Sequence, residues 1–151
     1  MNYWLMKSEP EVFSIDDLKT KKSTHWDGVR NYTARNNLRA MALGDLVLFY
    51  HSNAEPTGIA GVAKVCKTAY PDPSAFDPKD VHFDPKSKKE NPAWLMVDIA
   101  FVKKFKHFVS LPELKREAKL KNMELFRLGR LSVLPVTHQE FEIIVGLGQS
   151  Q

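Results

Sequence analysis

Two short runs of large apolar residues place the strongest constraint on how this chain can fold. Residues 3–6 and 46–50 are continuously apolar and rich in aromatic and aliphatic side chains. Such runs are typical of strands that are covered on both faces, whereas a half-exposed strand alternates polar and apolar residues. The sequence therefore predicts a sheet with other elements packed on its two sides.

The remaining elements are short and are mixed along the chain. Residues 59–66 are predicted to return beside 46–50 as a hairpin, residues 94–105 alternate as a strand, and Pro135 marks residues 130–136 as an edge strand. Short helices are predicted to begin near the capping residues Ser14, Asn31, Ser110 and Thr137. The pattern lacks regular βαβ alternation, so it favours an α+β fold whose mixed sheet curls toward a small barrel.

Composition predicts an ordinary globular protein with one domain over residues 1–151. The chain is 43% hydrophobic and 26% charged, and its length is enough to bury a sizeable core. Cys66 is the only cysteine, so it cannot form a disulfide within the chain, and its place at the end of an apolar strand predicts a buried, inert thiol. With no signal peptide and no membrane-spanning run, we expect a cytoplasmic monomer without a membrane partner.

Positive charge is concentrated in one part of the sequence. The net charge is +4, and residues 103–130 carry nine Lys or Arg against three Glu, while no basic residue follows Arg130. This asymmetry predicts a basic face that suits a polyanionic partner, although charge-rich helices are often merely solvated.

Catalytic signatures are missing from the sequence. The five histidines are widely separated and the single cysteine offers no paired ligand spacing, so no metal is expected. Neither a phosphate-binding GxGxxG nor a GxSxG nucleophile motif occurs. We therefore expect no catalytic residue and no cofactor.

Residues 25–35 concentrate groups that suit the recognition of a planar ligand. An indole, a phenol, an amide and two guanidinium groups lie within this stretch: Trp26, Tyr32, Asn31, Arg30 and Arg35. Flat rings stack on a planar ligand, amides hydrogen-bond its edge, and arginines contact phosphate. The alternative is a loop with one core tryptophan and a solvated helix face.

The chain resembles the EVE-domain family. The resemblance is carried by YWLMKSEP at residues 3–10, WDGVRNY at 26–32, GDLVLFYHS at 44–52 and GRLSV at 129–133. It implies a PUA-like fold, a small β-barrel of about five to six strands flanked by short helices, related to the YTH and ASCH domains. It also implies a pocket for a modified base in DNA or RNA, of the 5-methylcytosine or N6-methyladenine type.

The resemblance directs the assignment of site residues. Trp26 is the first choice for a stacking wall, and the predicted ligand-binding set is Trp26, Ser8, Asn31, Tyr32, Ser52, Asn53 and Trp94. The basic residues predicted to contact the nucleic-acid backbone are Lys7, Arg30, Arg35, Arg39 and Arg130. Packing or turn formation is an alternative role for several of them, Trp94, Tyr32, Ser8 and Asn53 in particular.

The resulting functional hypothesis is a non-enzymatic nucleic-acid-binding module that recognises a modified base. Two alternatives come from other classes of protein. The first is a hydrolase of RNA or nucleotides, as among some ASCH relatives. The second is a sensor of a free, base-like small molecule, whose binding would be insensitive to salt because no phosphate contributes to it.

Overall fold

Six strands form one mixed sheet in the computed structural model, which describes residues 1–149. The strands are β1 (Tyr3–Ser8), β2 (Ser23–His25), β3 (Leu46–His51), β4 (Gly58–Pro71), β5 (Leu95–Ser110) and β6 (Val133–Val136). Their order across the sheet is β2-β5-β4-β3-β1-β6. The predicted hairpin is confirmed as β3 and β4, and the strand containing Pro135 lies at a sheet edge as expected.

One strand pair is parallel, and it determines where the site lies. β1 runs parallel to β3, in a register from Tyr3 beside Leu46 to Ser8 beside His51. The other pairs of neighbouring strands in the described chain are antiparallel. Because neighbouring parallel strands run in the same direction, the carboxyl ends of β1 and β3 lie side by side at one end of the sheet.

Five α-helices surround the sheet within residues 1–149. They are α1 (Ile15–Lys21), α2 (Tyr32–Ala40), α3 (Leu111–Arg116), α4 (Glu124–Arg127) and α5 (His138–Gln149), with 3₁₀ turns at Pro73–Phe76 and Ala118–Leu120. The side chains of Ser14, Asn31 and Ser110 accept N–H groups of the first helical turn, which confirms these predicted caps. None of these helices combines the length and the apolar character that crossing a membrane requires.

Both faces of the central strands are covered, as the continuous apolar runs predicted. Leu5 and Met6 point to opposite faces of β1, and Leu48 and Phe49 do the same on β3, yet all four are fully buried. Fully burying such a side chain contributes about 1.5–3 kcal/mol relative to leaving it exposed. Burial on both faces therefore anchors β1 and β3 in the core.

Glycines allow two close approaches in the packing around β5. A Cβ on Gly61 would lie 2.3 Å from the carbonyl oxygen of Lys103, and one on Gly148 would lie 2.4 Å from the Phe105 ring. These contacts permit β4 and α5 to approach β5 without a side chain between them.

Two local features differ from the sequence predictions. Residues 23–25 form the edge strand β2 against β5, which the sequence did not predict. The partner residues 98–100 lie far along the chain, so the local sequence carries no signal for this pairing. Cys66 is exposed, not buried. β4 continues to Pro71, beyond the sheet's interior, and from Cys66 onward its side chains leave the core.

A buried carboxylate links the start of β1 to the start of β3. Asp45, 2% exposed, accepts hydrogen bonds from Trp4 Nε1 at 3.0 Å, the Ala42 N–H at 2.9 Å and the Asn2 N–H at 3.2 Å. Burial alone would raise the pKa of this carboxyl. The hydrogen bonds outweigh that effect, with help from the positively charged N-terminus, so that the pKa of Asp45 lies below its ordinary value.

Replacing Asp45 by Asn is expected to lower the free energy of unfolding by about 1–3 kcal/mol at pH 7, because hydrogen bonds to a charged acceptor are lost. The folded-state pKa of Asp45 lies below the unfolded value of about 3.9, so its contribution is present above that pH. It disappears as the pH falls through the folded-state pKa. Urea unfolding at pH 7 and pH 3 should therefore give a difference between wild type and variant that shrinks at pH 3.

Asp16→Asn is the matched control, because Asp16 is an exposed carboxylate paired with Lys104 at 2.9 Å. Exposed ion pairs contribute little, so this variant should unfold within about 1 kcal/mol of the wild type. An equal loss for both variants would contradict the role given to Asp45.

Candidate functional site

The carboxyl ends of β1 and β3 form the floor of the candidate site. Ser8 and His51 are side-by-side partners there, and the Ser52 N–H donates to the Ser8 carbonyl at 2.9 Å. The Ser8 hydroxyl donates to the Phe13 carbonyl at 2.7 Å, and His51 Nε2 accepts the Ile15 N–H at 3.1 Å. Both side chains therefore hold the connection to α1. The predicted ligand role of Ser8 has to compete with this bond.

Trp26 lies at the boundary between the core and the surface. Its indole is half-buried and meets the fully buried Phe49 ring edge-on, with 5.6 Å between centroids and 89° between planes. The backbone N–H of Trp26 donates to the Val97 carbonyl at 2.8 Å. The residue is thus fixed on β3 and β5 without being sealed inside, which is the arrangement that a stacking wall requires.

A turn at Gly28 carries the chain from Trp26 to Asn31. Gly28 has a φ of +81°, a conformation that glycine adopts without strain. A Cβ at this position would also lie 2.8 Å from the His82 ring. The positive φ favours glycine here, whereas the exposed His82 ring could move away from a Cβ.

A buried acid fastens this segment to the loop that follows β4. The Asp72 carboxylate is fully buried and accepts from the Gly28 N–H at 2.8 Å, from Arg30 at 3.1 Å and from Ser74. Burial alone would raise the pKa of Asp72, but the hydrogen bonds from Ser74, Gly28 and Arg30 lower it below its ordinary value. The segment and the loop are therefore tied together by one charged group.

Arg30 has internal partners on every side. Beyond Asp72 it donates to the Ser74 hydroxyl at 3.0 Å and to the His82 carbonyl at 2.8 Å, and it lies 5.5 Å from the centroid of the Trp94 ring. A guanidinium held in this way stabilises the loop. The sequence analysis placed Arg30 among the phosphate contacts, and its donors are engaged elsewhere.

Tyr32 and Trp94 come together, as two of the predicted ring residues. Their rings stack with 4.7 Å between centroids, and Trp94 is 5% exposed while its Nε1 donates to Asp84 at 2.6 Å. The guanidinium carbon of Arg35 lies 5.0 Å from the centroid of the Tyr32 ring, and Arg35 donates to the Ala93 carbonyl at 2.8 Å. The two rings are in direct contact and leave no slot between them, while the Tyr32 residue is 59% exposed.

Asn31 opens onto a cleft of about 360 Å³ between the start of α2 and the loop after α4. Its Oδ1 caps α2 through the Ala34 N–H at 3.0 Å, so its Nδ2 is the group that can donate to a ligand. The predicted residues Asn31 and Arg130 meet in this cleft. Its other lining residues, which the sequence analysis did not select, are Thr33, Arg127, Leu128, Gly129 and Leu131.

Lys7 lies beside the same loop. Its Nζ donates to the Gly129 carbonyl at 2.5 Å and is 5.5 Å from the centroid of the Tyr50 ring. Burial lowers the pKa of the Lys7 ammonium. The carbonyl of Gly129 is thus a contact between the end of β1 and the cleft.

Two predicted residues lie apart from this arrangement. Asn53 is exposed with a φ of 52°, and its amide donates to Glu9 at 2.6 Å, which is a turn-stabilising contact. Arg39 is exposed in the last turn of α2, away from the capped end that carries Asn31. Within residues 1–149, no group of three His, Cys, Asp or Glu side chains is placed to hold a metal ion.

Known proteins resemble this chain over nearly its full length. A family model described as the EVE domain matches residues 2–147. Human thymocyte nuclear protein 1 is 48% identical over 169 aligned residues, covering 99% of this chain and 75% of the human protein. A protein of Leishmania major, described as hypothetical, has a structure with a TM-score of 0.95 and 50% identity, covering 99% of this chain and 95% of that one.

A solved structure with DNA is among those that this chain resembles. It is the human THYN1 protein in complex with DNA containing 5-methylcytosine, with a TM-score of 0.95 and 48% identity. The match covers 100% of this chain and 99% of that one. The α+β, PUA-like fold of about five to six strands that the resemblance implied is thereby confirmed, with six strands observed.

The expected cytoplasmic location is wrong in light of these relatives. The human, rat, chicken, mouse and zebrafish proteins that match all carry the name of a nuclear protein. The cytoplasm was a default expectation that does not distinguish compartments sharing the same reducing chemistry.

The EVE model spans nearly the whole chain, and the human relative is similar over almost all of it. The motif at residues 3–10 lies beside the one at 44–52 through the pairing of β1 with β3, and Trp26 contacts Phe49 of the latter. This chain belongs to the EVE-domain family.

Proposed function

We propose that this chain, as a single EVE domain over residues 1–151, binds a modified base of the 5-methylcytosine class in nucleic acid and does so without catalysis. The observation that carries the proposal is the full-length structural match to a protein solved with 5-methylcytosine-containing DNA. The base would be taken from a single strand or flipped out of a duplex, which costs a few kcal/mol in the duplex and less in a single strand.

Trp26 is the proposed stacking surface. Its indole is held edge-on by Phe49 and remains half-exposed, whereas Trp4 and Trp94 are each 5% exposed and donate their Nε1 groups to Asp45 and Asp84. Stacking of a base on an aromatic side chain contributes about 1–3 kcal/mol. Trp26 is therefore the tryptophan that can offer this energy to a ligand.

Polar and basic residues near the carboxyl ends of β1 and β3 and in the cleft of Asn31 complete the proposed site. The Asn31 Nδ2 and the Ser52 hydroxyl would hydrogen-bond the edge of the base, while Arg130 and Lys7 would contact phosphate. Arg130 is exposed and lines the same cleft as Asn31. The proposal therefore assigns the ligand to residues whose donors have few internal partners.

The absence of catalysis is part of the proposal, and the arrangement of His51 supports it. This histidine lies at the carboxyl end of β3, where a general base would be placed. Its Nε2 accepts the Ile15 N–H, and burial is the main cause that lowers the pKa of the His51 imidazole. The nitrogen that would accept a proton from a substrate is occupied by the backbone of α1.

Discrimination between methylated and plain cytosine tests the proposed function. Burying one methyl group contributes about 0.8 kcal/mol, which corresponds to about fourfold in affinity. A single-stranded oligonucleotide with one 5-methylcytosine should therefore bind at least about fourfold more tightly than its unmodified twin in fluorescence anisotropy. Trp26→Ala should weaken binding of the methylated strand by about 10-fold or more, because the stacking energy is lost.

Trp26→Phe is the matched control, because it keeps a flat ring against Phe49. It should retain more affinity than Trp26→Ala, with both variants assayed well below their unfolding temperatures because losing the half-buried indole also lowers stability. Equal binding of the methylated and unmethylated strands by the wild type, or binding unaffected by Trp26→Ala, would contradict the proposal.

The second prediction separates nucleic-acid binding from binding of a free base. Each phosphate contact releases counterions, so the logarithm of the affinity should fall linearly with the logarithm of the salt concentration. Arg130→Ala should reduce the magnitude of this slope by about one. Arg116→Ala is the control, since Arg116 is exposed and lines a different cleft with Glu113 and Glu117. A slope near zero for the wild type would favour a small-molecule sensor.

A further inference from the structure

We propose that a second cleft beside the site holds the nucleotide adjacent to the modified base, with its phosphate on Lys7 and Lys115 and its base on Phe126. This inference rests on the proposed function, because it needs a strand whose modified base is already bound. It adds residues of α3 and α4 to the interface and predicts that the protein contacts at least two consecutive nucleotides.

The second cleft adjoins the first one. It has a volume of about 220 Å³ and is lined by Lys7, Tyr50, Leu111, Lys115, Leu125, Phe126 and Gly129. Gly129 also lines the cleft that contains Asn31 and Arg130. A strand that leaves the first cleft past Gly129 therefore enters the second one directly.

Lys7 brings an uncompensated positive charge to this cleft. Its ammonium is half-buried and donates to the Gly129 carbonyl, and no carboxylate of residues 1–149 forms an ion pair with it. An ammonium group has three donors, and a charge withdrawn from water is unfavourable unless an opposite charge is near. A phosphate oxygen at this position would supply both the acceptor and the charge.

Lys115 provides the second cation. It lies in the last turn of α3, its side chain lines the cleft and is exposed, and within residues 1–149 it has no ion-pair partner either. Two lysines beside one cleft form a positively charged rim that suits a phosphodiester.

The floor of the cleft is apolar and partly aromatic. Leu111 and Phe126 are half-buried there, next to the buried Leu125. A base has an apolar face that stacks on an aromatic ring, and stacking of this kind tolerates any sequence. The combination of a cationic rim and an apolar floor matches a nucleotide better than a free anion, which would gain nothing from Phe126.

The test measures binding of single-stranded oligonucleotides with one 5-methylcytosine whose neighbour on either side is intact or abasic. An abasic neighbour keeps the phosphate and removes the ring. For the wild type, the abasic change on one side should weaken binding about fivefold or more. Phe126→Leu should weaken binding of the intact strand and should lose most of the response to the abasic change, because the two changes remove the same contact.

Lys115→Glu should weaken binding of every strand about fivefold or more and lower the magnitude of the salt slope. Lys119→Glu is the matched control, since Lys119 is an exposed lysine of the same segment outside the cleft lining, and it should have a smaller effect. The preference for methylcytosine over cytosine should be the same in all of these variants, because the second cleft contacts the neighbouring nucleotide.

The inference is overturned if the wild type prefers methylcytosine while abasic neighbours, Lys115→Glu and Phe126→Leu leave its affinity unchanged. Failure of the proposed function has a different signature, since the wild type would then bind methylated and plain strands equally. Circular dichroism would check that Phe126→Leu is folded, and Lys115→Glu alters only an exposed position.

Discussion

The geometry of the site depends on one buried carboxylate, that of Asp72. This group has no exposed side-chain surface and lies 42 residues away from Arg30 along the chain, yet the two are 3.1 Å apart. Removing one partner of a buried ion pair typically costs about 3–5 kcal/mol, because the other charge remains uncompensated. Through the Gly28 N–H, the same carboxylate fixes the turn between Trp26 and Asn31.

This constraint divides the aromatic and basic residues into two groups. Arg30, Arg35, Tyr32 and Trp94 contact one another or the loop after β4, and they hold that loop against α2. The second group consists of Trp26, Arg130 and Lys7. Their side chains remain partly or fully exposed, and the two basic ones have no ion-pair partner within residues 1–149. A site whose support is already ordered binds with a smaller entropic cost, so rigidity in the first group favours affinity in the second.

Local patterns predicted a large part of the fold. The apolar runs of β1 and β3, the hairpin with β4 and the capping residue Asn31 depend on near neighbours in the sequence, and all of them are present. The pairing of Arg30 with Asp72 and the stacking of Tyr32 on Trp94 join distant segments, so composition could not indicate them. The same limit explains why Gly129, a backbone contact of Lys7, was not selected as a site residue.

The most direct test of this account is the indole N–H region of a ¹⁵N-correlated NMR spectrum, because each of the three tryptophans contributes one signal. The signal missing from Trp26→Phe identifies Trp26. On addition of a 5-methylcytosine oligonucleotide, this signal should shift most, while that of Trp4, hydrogen-bonded to Asp45, stays in place. A bound oligonucleotide that leaves the Trp26 signal unmoved would contradict the claim that this ring holds the base.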